Sequence, residues 1–442
     1  MDLLIRNGTV VTMNAGREVL SGVDLHIHGG RISRIGKRLK VKESHRLLDA
    51  SGMVVIPGLI HGHIHSCQTL FRNRADGLEL LDWLRERIWP FEAAHDEKSL
   101  RVSAQLTFAE MIRSGATAAL DMGTVRHTDA IFEAARDCGI RLTAGKAMMD
   151  HARQGVPKGL RETTRGSLDE SLRLIKTWHD TANGRLRYAY APRFVLSCTR
   201  ELLEEVGRQA RALGVRIHTH ASENPTECDL VRQLTGKDNV AYFHALGLTG
   251  PHVTMAHCVW LTSEEHRILR ETGTCVCHCP SSNLKLASGI AKVPEMIADG
   301  IHVALGADGA PCNNNLDIFT EMHLAALLHK PRVGPTGMSA MQVLEMATVV
   351  GARALGLQDE IGSLEPGKKA DLAVVDLRGP HAVPSSDDVV AQLVYSGQMT
   401  DVKHVLIDGR LVMRDRELLT LDLEAIAAQA VEHGKRIAQR VA

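Results

Sequence analysis

Pro57-Gly58-Leu59-Ile60-His61-Gly62-His63-Ile64-His65 is a Pro-Gly break, a short apolar run and a set of alternating histidines. In an extended strand, residues two apart point to the same side. His63 and His65 therefore present two imidazoles together at a strand end, and paired neutral imidazoles suit a first-row divalent metal such as zinc. The pair alone is a loose motif, so its meaning depends on what the rest of the chain supplies.

On both sides of this stretch the pattern differs. Upstream, residues 1–56 read as short strands: 3–13, a hairpin over 23–35 around Gly29-Gly30, and 46–56 with a turn at Ser51-Gly52. Downstream, apolar strands alternate with amphipathic helices. The strands are expected at 117–122, 141–148, 186–191, 216–220, 253–257, 274–278 and 302–307. The helices are expected at 78–87, 99–114, 128–137, 167–178, 199–213, 224–234, 263–271, 293–299 and 315–328. With the opening strand this makes eight alternations, an α/β chain of (β/α)8 TIM type. A helix over 340–354 follows. Strand character then returns at 362–377 and 402–412, so a small β-sandwich domain is expected from both chain ends (1–56 plus 362–422). It would flank a barrel of 57–361 and precede a terminal helix over 423–442.

Composition removes several function classes. The 442 residues carry 52 basic and 52 acidic side chains and only 3% aromatics, so neither a nucleic-acid surface nor a charged-membrane surface is expected. No apolar run is long enough for a membrane span, and the N-terminus lacks the pattern of a secretory leader. Nine scattered cysteines suit reduced, buried thiols in a cytoplasmic protein.

Strand ends of such a barrel carry its chemistry. His218-Thr219-His220 ends one strand, with Glu223 three residues on; His257 ends the next, and Asp308 the last. His63, His65, His220 and Asp308 form a ligand set that leaves a position for water. Glu223 and His257 then serve as acid/base and polarising groups, and Asp308 can also take a proton from the water. No lysine lies on strand 186–191 to bridge two metals, so one ion is expected, zinc first, with iron or manganese as alternatives. Two other clusters read differently. His26-Ile27-His28 runs into a Gly-Gly turn and reads as solvated strand surface. Cys275, Cys277 and Cys279 share one strand face and read as packed core rather than a metal box. Residues 280–289 read as a polar loop over the barrel mouth, and His61 receives no metal role.

The ordered set resembles the amidohydrolase superfamily, in its branch of aminohydrolases and chlorohydrolases on purines, pterins and s-triazines. The resemblance spans nearly the whole chain. It rests on the Pro-Gly-x4-His-x-His opening, His-x-x-Glu at 220–223, Ala-His at 256–257, His-Cys-Pro-x-Ser-Asn at 278–283, Gly-x-Asp at 306–308 and Gly-Ser-Leu-Glu-Pro-Gly-Lys-Lys-Ala-Asp-Leu at 362–372. It implies a hydrolase acting on C–N bonds of cyclic amidines: activated water attacks a ring carbon that bears an exocyclic amine, Glu223 protonates the adjacent ring nitrogen, and ammonia leaves. Leu80-Leu81-Asp82-Trp83-Leu84 and Trp89-Pro90-Phe91-Glu92 are similar to deaminases of 5'-deoxyadenosine, methylthioadenosine and S-adenosylhomocysteine. That similarity implies substrate contacts from Trp83 and a ribose-holding role for Glu92. Gln68, Arg193 and the 191–199 segment are instead similar to guanine deaminases, in which the matching glutamine and arginine grip the base. The adenosine-type nucleoside is the favoured substrate. A guanine or pterin deaminase, an s-triazine amino- or chlorohydrolase and a metal-free scaffold relative are the alternatives. A homo-oligomer working on a small heterocyclic amine is expected.

Overall fold

The computed structural model describes residues 2–40, 46–151, 155–385 and 387–441. Eight parallel strands form the central barrel, in the spatial order of the chain: Leu59–Ile64, Ala116–Met122, Arg141–Gly145, Leu186–Pro192, Arg216–Ala221, Val253–His257, Cys275–His278 and Val303–Leu305. A two-residue strand, Ala147–Met148, prolongs the third along the fourth. The first and eighth strands meet at a single bridge between Ile64 and Asp308, beside a 3.1 Å bond from the Asp308 amide to the His63 carbonyl. Helices cover the outer faces of these strands, which is why the strands read as nearly unbroken apolar runs instead of alternating ones. The third and fourth strands approach so closely that a Cβ on Gly145 would lie 1.9 Å from the Ala189 carbonyl oxygen.

The helices begin and end on legible signals. Thr262 and Glu265 form a reciprocal capping box before Ser263–Thr272, and Gly273 closes that helix at φ +67°. Elsewhere the expectations need correction. The helix expected over 78–87 continues to Ala93 as Leu80–Trp83, a π turn at Leu84–Ile88 and Trp89–Ala93. Pro90 has no N–H to continue an α ladder, and the widened turn before it absorbs the defect. The 340–354 helix is two, Ala340–Met346 and Val349–Ala354, broken at Thr348 (φ −130°, ψ −91°). The loop expected at 280–289 starts as a helix, Pro280–Lys285, with proline in its first turn.

The chain ends build one nine-stranded sheet. Its path runs Glu417–Leu418, Arg410–Arg414, Val402–Ile407, Leu372–Val375, Val54–Pro57, Leu3–Val11, Val19–His28 and Arg31–Gly36, and Arg46–Asp49 also pairs with Leu3–Val11. The two chain ends join where Leu372–Val375 lies antiparallel to Val54–Pro57. A separate core that includes Leu3, Ile5, Leu25, Leu372 and Leu406 fills this unit. His26 corrects the solvated reading: it is buried opposite Leu4, while His28 is exposed and bonded to Asp2. A register shift between His26 and Ile27 disrupts the simple alternation. Cys275, Cys277 and Cys279 pack inside the barrel with Ile60, Ala118 and Leu120, all as free thiols.

A buried ion pair joins the two units. Arg141, at the base of the third strand, donates through Nε and Nη2 to both Asp371 oxygens (2.8 and 2.9 Å), with both side chains almost fully buried. Asp371→Ala would leave the buried guanidinium only Asp408, 3.9 Å away, and a loss of about 3–5 kcal/mol in urea unfolding is expected. The double variant with Arg141→Met should lose less than Asp371→Ala alone. Equal stability of Asp371→Ala and wild type would show that the pair holds nothing.

Candidate metal and catalytic site

The C-terminal ends of the first, fifth, sixth and eighth strands converge on one cluster. Asp308 Oδ1 lies 3.2 Å from His63 Nε2 and 3.5 Å from His65 Nε2. His65 Nε2 lies 3.2 Å from His220 Nε2. Each ring is oriented by what its other nitrogen does. His65 Nδ1 donates to the Met122 carbonyl (2.8 Å), and His220 Nδ1 donates to the Arg193 carbonyl (2.6 Å). His63 Nδ1 shares a 2.8 Å hydrogen bond with His218 Nε2. With their Nδ1 protons committed, the Nε2 lone pairs of His65 and His220 face each other and repel. A divalent cation among these atoms removes that repulsion, so the donor set fits a metal. Burial favours the neutral, ligand form of the rings: it lowers His65 to about 3 and holds His220 far below the ordinary histidine value. Ligand atoms of His63, His65 and Asp308 lie within 4.8 Å of one another, as do those of His63, His220 and His257.

Asp308 is held on every side. Gly309 N donates to Oδ1 (2.7 Å), and Ser282 Oγ donates to Oδ2 (2.6 Å). Burial alone would raise its carboxyl, but the adjacent imidazoles, His63 first and then His257 and His65, keep it well below the carboxylate range. Asp308 (φ +61°) and His257 (φ +73°) both take left-handed backbone conformations, which only a tightly determined surrounding sustains in non-glycine residues. His257 Nδ1 bonds Asn283 Oδ1 (2.8 Å), and its Nε2 lies 3.5 Å from Glu223 Oε2 and 3.8 Å from Asp308 Oδ2. Burial alone would lower His257, but the Glu223 and Asp308 carboxylates raise it. Glu223 itself is pushed up to about 7, chiefly by burial.

These groups border a cavity whose wall also includes Leu80, Trp83, Leu84, Arg193, Phe194 and Glu227. Trp83 is nearly buried, and its Nε1–H has no partner. Gln68, Glu92 and Arg193, far apart in the chain, form one buried network. Arg193 donates to both Glu92 oxygens (2.6 and 3.1 Å), and Gln68 Nε2 donates to Glu92 Oε1 (2.9 Å). Glu92 is thus saturated by the protein, and Arg193 is the member of the trio that reaches the cavity wall.

Some groups that hold the candidate site were given no role of their own in the sequence. Ser282 and Asn283 hold Asp308 and His257 from the helix expected as loop. Asp121, wholly buried, accepts from both Ser66 N and Ser66 Oγ (2.8 and 2.7 Å) and so fixes the turn after His65. Glu227 carried one readable signal: Asn224 followed three residues later by glutamate marks a helix start.

A sequence profile described as the amidohydrolase family matches residues 54–412. The 5-methylthioadenosine/S-adenosylhomocysteine deaminase of Moorella thermoacetica is 41% identical over 97% of this chain and 98% of its own length. The 5'-deoxyadenosine deaminase of Methanosarcina acetivorans is 39% identical over 97% of this chain and 96% of its own. Among solved structures, an adenosine deaminase from Xanthomonas campestris with bound zinc superposes with a TM-score of 0.92 at 31% identity, covering 99% of both chains.

Proposed function

Because this chain belongs to the amidohydrolase family, we propose that it is a metal-dependent hydrolytic deaminase of an adenosine-type purine nucleoside. Its substrate would be 5'-deoxyadenosine, methylthioadenosine or S-adenosylhomocysteine, converted to the inosine-type product and ammonia. The observation that carries this reading is the position of Glu223. Its carboxyl lies beside His257 at the edge of the histidine–aspartate cluster, with Oε1 buried and unpartnered on the cavity wall. The substrate class is supported by the deaminase names of the full-length relatives.

His63, His65, His220 and Asp308 would hold one divalent ion, zinc by the precedent of the Xanthomonas structure, and the ion supplies the Lewis acidity that makes water nucleophilic near neutral pH. Asp308, held ionised, accepts the proton of the attacking water. His257 orients that water and favours its attack on the ring carbon. Glu223 carries a proton to the ring nitrogen next to that carbon, and then assists protonation of the departing amine. Trp83 and the apolar wall exclude bulk water from the reacting face. The free, buried state of all nine cysteines supports a reducing, cytoplasmic setting.

A second reading has one specific observation in its favour. Arg193 lines the cavity and ties up Glu92, so a guanidinium stands where the ribose-holding carboxylate was expected. A guanidinium suits an acceptor such as the carbonyl of an oxo-purine or pterin. An ammonia-release screen on metal-loaded protein separates the readings. It compares 5'-deoxyadenosine, methylthioadenosine, S-adenosylhomocysteine, adenosine, guanine, a pterin and an s-triazine. The highest kcat/KM is expected within the first three. Turnover of guanine or pterin alone would give the site to the second reading.

A further inference from the structure

Glu227 stands on the cavity wall but has no part in the chemistry above. It is the third residue of the helix Pro225–Thr235 and is 1% exposed. Its Oε2 accepts the backbone N–H of Glu223 at 3.0 Å, which ties the two residues together. Its Oε1 is buried without a hydrogen-bond partner, and so is Oε1 of Glu223. Two neighbouring carboxyls of residues that line one cavity therefore each hold an unsatisfied oxygen. Buried polar atoms are normally paired, and orphaned ones that line a cavity are where a ligand supplies the missing partner.

The bonding around Glu227 also settles its polarity. Oε2 already acts as an acceptor, so a proton on this carboxyl is best placed on Oε1, which it makes a donor. The groups that act on it are the Glu223 carboxyl, the Glu223 and Asn224 amides and His257, with the Cys228 thiol 3.8 Å from Oε2. Burial, followed by the neighbouring Glu223 carboxyl, pushes it up to about 8. That shift favours the neutral acid.

We propose that Glu227 is a further substrate-binding residue, whose Oε1–H donates to a second ring-nitrogen lone pair beside the nitrogen served by Glu223. This inference rests on the deaminase reading. In a purine the next lone pair round the six-membered ring from N1 is N3, so Glu227 selects heterocycles with an unsubstituted acceptor there. A carboxylate at this point would repel the same lone pair.

The test uses the metal-loaded full chain and the nucleoside turned over fastest by the wild type. Glu227→Gln copies both functions, accepting the Glu223 amide through Oε1 and donating through Nε2. It should stay within about 3-fold of wild type in kcat/KM. Glu227→Met keeps the volume but not the hydrogen bonds, and should lose about 10- to 100-fold with bound metal unchanged. With the 3-deaza analogue, as substrate or as competitive inhibitor, wild type and the Met variant should converge to within about 3-fold. A Met variant as active as wild type overturns the proposal. So does an equal loss on parent and 3-deaza analogue, which would assign Glu227 only to tethering the Glu223 amide. If the Met variant does not fold, a loss of more than about 10-fold in the Gln variant overturns it instead. A wild type that deaminates no adenosine-type nucleoside overturns the deaminase reading and this one together, whereas an unaffected Met variant of an active enzyme overturns this one alone.

Discussion

Asp308→Asn is expected to abolish measurable deamination. The substitution keeps the size of the side chain but removes charge at the point where the cluster depends on it. Oδ1 faces His63 and His65 at 3.2 and 3.5 Å, and Oδ2 reaches toward His257 at 3.8 Å while accepting from Ser282. An amide nitrogen turned toward Ser282 would reverse that hydrogen bond and leave a neutral oxygen toward the imidazoles, and one turned toward the imidazoles would replace an anionic ligand atom with a donor. Both orientations also leave no base for the water's proton. Loss of a positioned acid–base group costs about 100- to 10,000-fold, and the weakened ligand set adds to that. His220→Ala should behave alike, because it removes one of the two opposed Nε2 atoms. Steady-state kinetics, with metal content measured after dialysis, checks both variants; full activity in either would remove the proposed site.

Glu223→Gln should separate binding from chemistry. Glu223 is not among the expected ligands, so bound metal should match wild type. The amide cannot carry a proton to the ring nitrogen, so kcat should fall by on the order of 100-fold or more. A fall of less than about 10-fold would give the proton transfer to another group. The same residue should mark the pH dependence of stability. In metal-free protein burial raises the carboxyl from its ordinary value of 4.5 to about 7. The folded state thus holds a proton that the unfolded chain releases. That contribution is fully present below about 4.5 and is lost as pH rises through about 7. Glutamine has no proton to release, so the melting temperature of the metal-free variant should gain on wild type between pH 5 and 8. Parallel melting curves across that range would contradict the raised carboxyl.

Much of this was legible in the sequence because barrel strands are short apolar runs and their C-terminal ends carry polar residues. His63, His65, His220, Glu223, His257 and Asp308 all stand at or just beyond such ends, and the fold needs only its strand order to bring them together. Long-range pairing was less visible. Nothing local in Glu92 shows that Arg193 and Gln68 will occupy its oxygens. Glu227 reads as a common helix-start carboxylate, and its orphaned oxygen exists only once Glu223 and the cavity are in place. The burial of His26 and the π turn before Pro90 have the same origin. Each is a local irregularity, a register shift in one case and a missing donor in the other, superimposed on a correct periodic pattern.

The joining of the two chain ends has a consequence for how the protein is made. Val54–Pro57 leaves the ribosome before any of the barrel, but its antiparallel partner, Leu372–Val375, follows only after the whole barrel has been synthesised. At about 5–20 residues per second the wait lasts tens of seconds. Throughout it one edge of Val54–Pro57 is an open template for strand pairing. Arg141 is exposed to the same delay, since Asp371 arrives just ahead of that partner strand. The nascent barrel therefore carries an unmatched guanidinium at its base until the last part of the chain emerges, and the closing of the sheet and the neutralising of that charge become one late, coupled event.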